Sequence, residues 1–341
     1  MNKDIYVYNS DIDIVGVIDK YSSIVWNRKY FEAGTFEIVL PATKVNSTYI
    51  QKRRLISRAG DNEVGLITSI EITDDKEKGK EMKVGGIIFH GILRRRIIYN
   101  NEKTLANIIQ NNIISAPDTE RNIPNFVLDE NILNLEFNYT IKGSNVAETI
   151  IELAKQHNFG QKTTIDKANK RIIYTTYFGV DRSAEQSENP RVIFSKNYDN
   201  LLSATYTYDE KSATNTMIAN WDNTIKIITD GTDHSGYDRF ETYREFDGKT
   251  SLADVTKQSK EALQEITEDY EGDVSFNSGY KTKWDLGDIV TIFDVESGLT
   301  ISKRITEVSE NCDKTTNEIS CVFGTPLPTL SDKLKKIYKR G

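Results

Sequence analysis

The 341-residue sequence is poor in the residues from which reactive and metal-binding sites are usually built. It contains only two cysteines, Cys312 and Cys321, which excludes a disulfide framework and a four-cysteine metal site. Its three histidines, His90, His157 and His234, fall in three different predicted modules without metal-ligand spacing. We therefore predict no catalytic, cofactor-binding or metal-binding residue, no cofactor and no enzymatic activity.

The two cysteines flank a polar turn at residues 313–317. If the turn centres on Thr316 and Asn317, Cys312 and Cys321 lie opposite each other across a hairpin. We favour reduced, packed thiols over a disulfide, because cytosolic thiols stay reduced. Whether the two cysteines pair is left open by the sequence.

Long apolar runs are also absent, and none approaches the roughly 20 residues of a membrane-spanning helix. The first residues include Asp4, Asp11, Asp13 and Asp19 and lack the apolar core of a signal peptide. The net charge of −7 disfavours free binding to nucleic acid or to an anionic membrane. We expect a protein made and used in the cytoplasm, without a membrane span.

Basic residues are concentrated in three short runs, at residues 52–54, 94–96 and 333–340. The triplet Arg94-Arg95-Arg96 has three interpretations: it lines a channel, it pairs with an acidic partner, or it is a solvated strand end. We favour the solvated strand end, with side chains that pair locally.

Short apolar runs punctuated by glycine, proline and asparagine dominate the N-terminal third and predict strands and hairpins. Residues 1–98 are accordingly predicted as a tube-like β-domain. The apolar period then changes to that of helices at residues 104–114 and 145–157, the second with Asn145 and Glu148 in capping-box positions. Residues 99–190 are predicted as a small α/β insertion, ending in a polar linker or loop at residues 181–190.

Strand patterns resume in residues 191–330, the predicted second β-region with a C-terminal β-barrel. A helix interrupts them at residues 251–268, where Ser251 and Asp254 form a capping box. The loop 230–238 carries Asp230, Asp233 and Asp238, but lacks the spacing of an EF-hand, so a plain loop is favoured over a calcium site. Residues 331–341 form a basic tail.

Aromatic residues have two interpretations. The 17 tyrosines suit either strands or partner surfaces, and the pattern does not separate these uses. The three tryptophans, Trp26, Trp221 and Trp284, lie in or beside predicted strands. We expect them in the core rather than on a carbohydrate-binding surface.

The two ends of the chain share an order of features: a strand after Gly34 or Gly272, later strands, a polar hairpin tip and a closing glycine. This echo suggests two similar β-barrel or sandwich modules per chain. Three chains would then present six similar modules around one axis, which adapts a threefold object to a sixfold one.

The stretch of residues 16–38, which runs from Gly16-Val17-Ile18 through Trp26-Asn27-Arg28 to Phe36-Glu37-Ile38, resembles siphophage tail proteins of the ReqiPepy type. These are related to tail hubs and to the N-terminal domains of tail-associated lysins. The closing elements Leu286-Gly287-Asp288-Ile289-Val290 and Arg304-Ile305-Thr306-Glu307-Val308 are similar to the last β-domain of a hub. The resemblance covers nearly the whole chain.

This resemblance implies a structural hub or tail-tip protein of a virion tail, made in the host bacterial cytoplasm. It implies a homotrimer that contacts the distal tail protein, the tail tube and the tape-measure protein. Some relatives carry a peptidoglycan hydrolase after the hub; the sequence ends at Gly341, so a hub-only role is expected. The alternatives are a peptidoglycan-degrading lysin and a carbohydrate-binding receptor module.

Overall fold

The computed structural model describes residues 3–76, 79–264, 266–275, 278–313 and 316–324. The chain forms two compact units, the first from Met1–Ala204 and Gly272–Phe323, the second from Thr205–Glu271 and Gly324–Gly341. The predicted basic tail, residues 331–341, lies outside the described residues. No helix in the described ranges is long and apolar enough to cross a bilayer.

The strands, in chain order, are β1 (Ile5–Tyr8), β2 (Ile14–Ile18), β3 (Ser23–Lys29), β4 (Thr35–Pro41), β5 (Leu55–Arg58), β6 (Val64–Asp75), β7 (Gly79–Ile88), β8 (Glu102–Thr104), β9 (Phe126–Leu128), β10 (Glu136–Ile141), β11 (Gly160–Asp166), β12 (Arg171–Tyr177), β13 (Ile193–Phe194), β14 (Leu201–Asp209), β15 (Thr216–Trp221), β16 (Thr224–Thr229), β17 (Glu241–Phe246), β18 (Thr267–Val274), β19 (Ile289–Asp294), β20 (Leu299–Asp313) and β21 (Asn317–Gly324).

The α-helices are α1 (Lys44–Tyr49), α2 (Leu105–Ile109), α3 (Val146–His157) and α4 (Leu252–Ala262). A π-helical turn, Gln110–Ile114, continues α2. Short 3-10 helices span Phe89–Arg95, Thr119–Arg121, Lys196–Tyr198 and Gly236–Asp238. The predicted mainly β fold with an α/β insertion is confirmed.

One 13-stranded sheet contains strands from both ends of the chain. Its order is β14-β18-β21-β20-β3-β4-β7-β6-β5-β1-β2, with β19 and β13 attached beside β20. The N-terminal strands of this sheet share one apolar core, in which Ile5 and Val7 of β1 pack in the same cluster as Trp26 and Ile38.

The predicted closed barrels are not formed by the described strands, which make an open sheet ending at β2 and at β14. The physical reason is the ladder between β3 and β20, in which Val308 pairs with Arg28 and Cys312 with Ile24. Because β20 hydrogen-bonds to β3, the two β-regions continue each other instead of closing separately.

The α/β insertion shares a core with the N-terminal strands. Tyr8, Leu66 and Phe89 pack in one cluster with Ile109 of α2 and Ile150 of α3. The compact units therefore do not coincide with the predicted ranges 1–98, 99–190 and 191–330, because apolar packing runs across residue 98. That three-part division stays a prediction about domains.

Two local predictions need correction, and a third is narrowed to one of its alternatives. The helix predicted at 104–114 turns π-helical because buried Asn112 donates to the carbonyl of Ile108 and accepts from the amide of Tyr99. The helix predicted at 251–268 ends at Ala262, because the backbones of Gln264 and Thr214 pair with each other. Of the two alternatives for residues 181–190, a linker or a loop, the structure has a loop packed at β19: Arg182 pairs with Asp288, which precedes the strand, and the Ala184 amide donates to Thr291.

The predicted opposition of the cysteines is also wrong. In the β20–β21 ladder Cys312 pairs with Asn317 and Cys321 with Val308, so the two cysteines are not opposite each other. Both cysteines are free thiols, and burial raises the pKa of Cys321 well above its usual value.

The second unit has its own small core. Its sheet has the order β16-β15-β17, and α4 covers one face through Val255, which packs with Met217, Ala219 and Ile228. Ser251 caps α4 as predicted, because its side chain accepts from the Asp254 amide.

His90 provides a test of the shared core. It lies buried in the 3-10 helix Phe89–Arg95, with Nδ1 3.3 Å from the Thr163 hydroxyl of β11 and its ring against Tyr174 of β12. Its Nε2 has no hydrogen-bond partner. Burial lowers the pKa of His90 from 6.5 to about 4, although Glu32 and Glu63 oppose the shift.

We expect the free energy of unfolding to fall as the pH drops from about 6.5 to 4, because only the unfolded state gains a proton on His90 there. The loss attributable to His90 should reach about 3 kcal/mol. Urea titrations at several pH values should show a shallower pH dependence for His90→Gln. An identical slope in both proteins would contradict a buried neutral imidazole.

Candidate functional site

The residues that carried the family resemblance meet along strand β3, which lies between β4 and β20. Trp26 faces Phe36 of β4 on one side and Glu310 of β20 on the other. Lys29 pairs with Glu307 in the ladder, and their side chains form a 2.9 Å ion pair. We call this junction of the two chain ends the seam.

Buried charges hold one face of the seam. Arg58 of β5 donates to Glu310 at 2.9 Å and to Asp61 at 2.8 Å, and its guanidinium lies 4.6 Å from the centre of the Trp26 ring. Lys281 approaches the same two carboxylates, at 2.6 Å from Asp61 and 3.3 Å from Glu310. Both carboxylates are thereby shared between two cations.

A second group of charges surrounds Arg28 in β3. Arg28 pairs with Glu63 through Nε at 3.2 Å and with Asp285 through Nη1 at 2.5 Å. The indole of Trp26 donates to the other oxygen of Glu63 at 2.6 Å. Tyr280 connects the two groups, because it accepts from Arg28 and donates to Glu310. We call Arg28, Arg58, Asp61, Glu63, Tyr280, Lys281, Asp285 and Glu310 the seam cluster.

The pKa values reflect this mutual compensation. Burial by itself would raise the pKa of Glu310, but the charges of Arg58 and Lys281 outweigh it and lower the pKa to about 2. The pKa of Asp61 also lies well below its usual value, for the same balance of causes. The carboxylates of Asp61 and Glu310 are therefore ionised at neutral pH, and each is held by cations rather than left available as a base.

A second contact region of the seam is centred on Tyr30, next to β3. Its hydroxyl donates to the carbonyl of Asn158 at 3.1 Å and accepts from the amide of Gly179 at 3.3 Å. The Arg304 guanidinium lies 5.1 Å from the ring centre. Tyr30 thus contacts the insertion and approaches the C-terminal strands with one side chain.

Glycines make this close approach possible. A Cβ at Gly160 would lie 2.3 Å from a ring carbon of Tyr30, and one at Gly287 would lie 2.4 Å from it. Gly287 also has φ +94°, a conformation that side chains rarely adopt. The glycine of the Leu286-Gly287-Asp288 element is therefore required by packing against the N-terminal signature.

Other residues singled out from the sequence do not join this site. His157 ends α3 and His234 accompanies Asp230 and Thr232 in an exposed loop. Across the described ranges, no group of three or more His, Cys, Asp or Glu side chains is arranged to hold a metal ion. Trp26 and Trp284 are buried as expected, and Trp221 packs against the core of the second unit.

The sequence reasoning missed most of the seam cluster. One signal was available: Arg28 shares the inward parity of Trp26 and Ile24, and only 9% of its surface is exposed. A cation at an inward strand position requires a buried carboxylate. The sequence does not indicate which of its 51 acidic residues provide it.

We expect Glu310→Gln to lower the free energy of unfolding by about 3 kcal/mol at pH 7, because it leaves Arg58 and Lys281 undercompensated. The folded-state pKa of Glu310 lies below 4.5, so its contribution is complete above that pH and declines as the pH falls towards 2. The difference between wild type and variant should therefore shrink at pH 3.

Urea titrations at pH 7 and pH 3 measure this difference. Glu318→Gln, which changes an exposed carboxylate on the adjoining strand β21, is the matched control and should have little effect. Equal small effects of both substitutions at pH 7 would contradict the role of the seam cluster.

Known proteins share this fold over nearly the full chain. A tail protein from Neisseria meningitidis MC58 superposes with a TM-score of 0.63 at 14% identity, covering 95% of this chain and 97% of that one. The 43 kDa tail protein of prophage MuSo2 from Shewanella oneidensis gives 0.62 at 14% identity, with coverages of 94% and 97%. Prophage tail protein gp18 from Listeria monocytogenes EGD-e gives 0.58 at 12% identity, with 99% of both chains covered.

No curated protein matches the chain in sequence. Residues 4–325, however, match the family described as Siphovirus ReqiPepy6 Gp37-like protein, which includes both chain ends that meet at the seam. The expected resemblance to siphophage tail proteins is confirmed. The chain belongs to the siphovirus ReqiPepy6 Gp37-like family, and is therefore a protein of the virion tail.

Proposed function

We propose that this tail protein is a non-enzymatic hub, a homotrimeric ring that joins the tail tube to the tail tip. In this role it contacts the distal tail protein, the tail tube and the end of the tape-measure protein. Membership of the tail-protein family supports a location in the virion tail. The single observation that carries the ring is an open sheet whose last strand, among the described residues, pairs on one side only.

That edge strand is β2, which pairs with β1 on one side only. Ile14 and Val17 on this strand are 53% and 43% exposed. Exposed apolar strand edges readily pair with another chain, and stable monomers usually block them with charge, proline or a covering segment. A neighbouring copy would satisfy the edge and continue the sheet around an axis.

Symmetry supports three copies. Each chain contributes an N-terminal and a C-terminal β-region to one sheet, joined at β3 and β20. Three copies would therefore bring six β-regions around the axis, which matches a sixfold tube to a threefold tip. For six β-regions to match a sixfold tube, the N-terminal and C-terminal regions need only present surfaces of similar shape.

The chemistry of the seam favours a mechanical role. The buried carboxylates of Asp61 and Glu310 are engaged by Arg58 and Lys281, an arrangement that lowers their pKa values. General acid catalysis requires a carboxyl group whose pKa is raised towards the working pH, which is the opposite shift. The seam cluster is therefore suited to fixing strand register.

We expect the purified protein at high concentration to form a threefold ring with a central hole in negative-stain class averages, and a trimer by light scattering. Replacing Ile14 and Val17 together by lysine should shift it towards monomer, because charged side chains on an edge strand oppose pairing.

The matched control replaces Val45 and Ile72, which are 57% and 54% exposed, by lysine and should leave the ring intact. Compact monomers at every concentration would overturn the ring. Clearing of peptidoglycan in a zymogram by the same preparation would overturn the non-enzymatic role in favour of a lysin.

A further inference from the structure

Four arginines form an uncompensated basic patch on the first unit. Arg94 and Arg95 end the 3-10 helix Phe89–Arg95, Arg96 caps it, and Arg121 ends another short helix beside them. The predicted solvated strand end is thus a helix end. We define the arginine patch as Arg94, Arg95, Arg96 and Arg121 with Ile97 and Tyr99.

Like charges are held close together in this patch. Arg96 Nε donates to the carbonyl of Arg121 at 2.9 Å, and Arg121 donates to the carbonyl of Ile97 at 2.5 Å. Burial first, and then the charges of Arg121 and Arg95, lower the pKa of Arg96. Within the part of the chain that the structure describes, none of the four arginines forms a salt bridge, and the local partners of Arg96 and Arg121 are backbone carbonyl groups.

The patch also has an apolar part. Ile97 is 50% exposed and Tyr99 is 63% exposed, with the Arg121 guanidinium 5.5 Å from the centre of the Tyr99 ring. Arginine and tyrosine beside exposed apolar surface are typical of the central residues of protein interfaces. A partner for this patch should offer carboxylates around an apolar surface.

The second unit has the complementary charge. Residues 205–271 contain 15 acidic and 7 basic residues, a net charge of −8, whereas the whole chain carries −7. Most of the negative charge of the protein therefore lies in this segment, since residues 1–204 and 272–323 together carry −3 and residues 324–341 carry +4. Electrostatic attraction between copies would join unlike segments.

One face of the second unit combines this charge with apolar surface. In the sheet β16-β15-β17, Ile218 lies between Ile227 and Tyr243 on the face opposite α4. Ile225, Ile227 and Tyr243 are all more than half exposed. Glu241 and Glu245 flank Tyr243 on the same face, with Glu241 paired to Arg239 and Glu245 bonded to the Tyr243 hydroxyl.

We propose that the arginine patch of one copy binds the sheet face formed by Ile225, Ile227, Glu241, Tyr243 and Glu245 of a neighbouring copy. The contact joins two different surfaces, so it can repeat from copy to copy as a heterologous contact. Closed rings require heterologous contacts. The placement of this contact within a ring therefore rests on the proposed ring function.

Charge reversal tests the contact by light scattering over a concentration series. Arg94→Glu with Arg95→Glu should raise the concentration of half-assembly by about tenfold or more, because it places like charges opposite each other. Glu241→Lys with Glu245→Lys should do the same. The protein that carries all four substitutions should regain assembly, and sodium chloride should weaken assembly of the wild type.

Lys52→Glu with Lys196→Glu, an equal charge change at exposed lysines outside the patch and off the β2 edge, is the control and should assemble as the wild type does. Thermal unfolding of each variant checks that the fold is retained. Arginine-patch variants that assemble normally would overturn the proposal while leaving the ring standing. If these variants assemble normally but no longer bind a labelled duplex oligonucleotide that the wild type binds, the patch would be assigned to nucleic acid instead.

The two proposals fail in distinguishable ways. Rescue by the fourfold variant in an assembly that is a dimer or a filament would support the contact and overturn the ring. A wild type that stays monomeric at every concentration and salt would overturn both.

Discussion

The structure depends on the pairing of β3 with β20, because this ladder is what makes the two ends of the chain one body. Arg28 reaches Asp285 across 257 residues of sequence, and Arg58 reaches Glu310 across 252. Contacts this distant carry a large loop-closure cost and form only when many of them form together. The Trp26 side chain is buried beside these contacts, with the Arg58 guanidinium over its ring. Its burial adds apolar stabilisation to the ion pairs.

A buried network of this kind is better explained by specificity than by stability alone. Desolvation of paired charges consumes much of their attraction, so well-packed apolar residues would often stabilise a core as well. Charges differ from apolar residues because they tolerate only one register. If β20 shifted by one residue along β3, Glu310 would point away from Arg58 and lose its ion pair with it.

The same residue type has a different role at the surface. Arg28 and Arg58 lie in the seam with a carboxylate for each cation, whereas Arg94 and Arg95 face solvent with none among the described residues. An interior cation fixes the fold, and an exposed uncompensated cation is available to a partner. This division suits a tail component, whose own fold must be rigid and whose surfaces must select their neighbours.

Local patterns were sufficient wherever short-range physics decides the outcome. The cap of α3 by Asn145, the cap of α4 by Ser251, the burial of Trp26 and Trp284 and the strand character of both ends follow from side-chain period and capping chemistry. The family could likewise be identified from residues 16–38 and the closing elements.

Tertiary structure decided what depends on distant partners. The sequence alone predicted two β-barrel or sandwich modules, a helix to residue 268 and, for a turn centred on Thr316 and Asn317, opposed cysteines. Pairing with β3, with Thr214 and within the β20–β21 ladder gave an open sheet, a shorter helix and cysteines that are not opposed. The acidic partners of Arg28 and Arg58 could not be chosen from the sequence, since any of its carboxylates is chemically equivalent. Only the folded structure selects these partners. Folding brings particular carboxylates within hydrogen-bonding distance of the buried arginines and removes the water that would otherwise solvate the arginines.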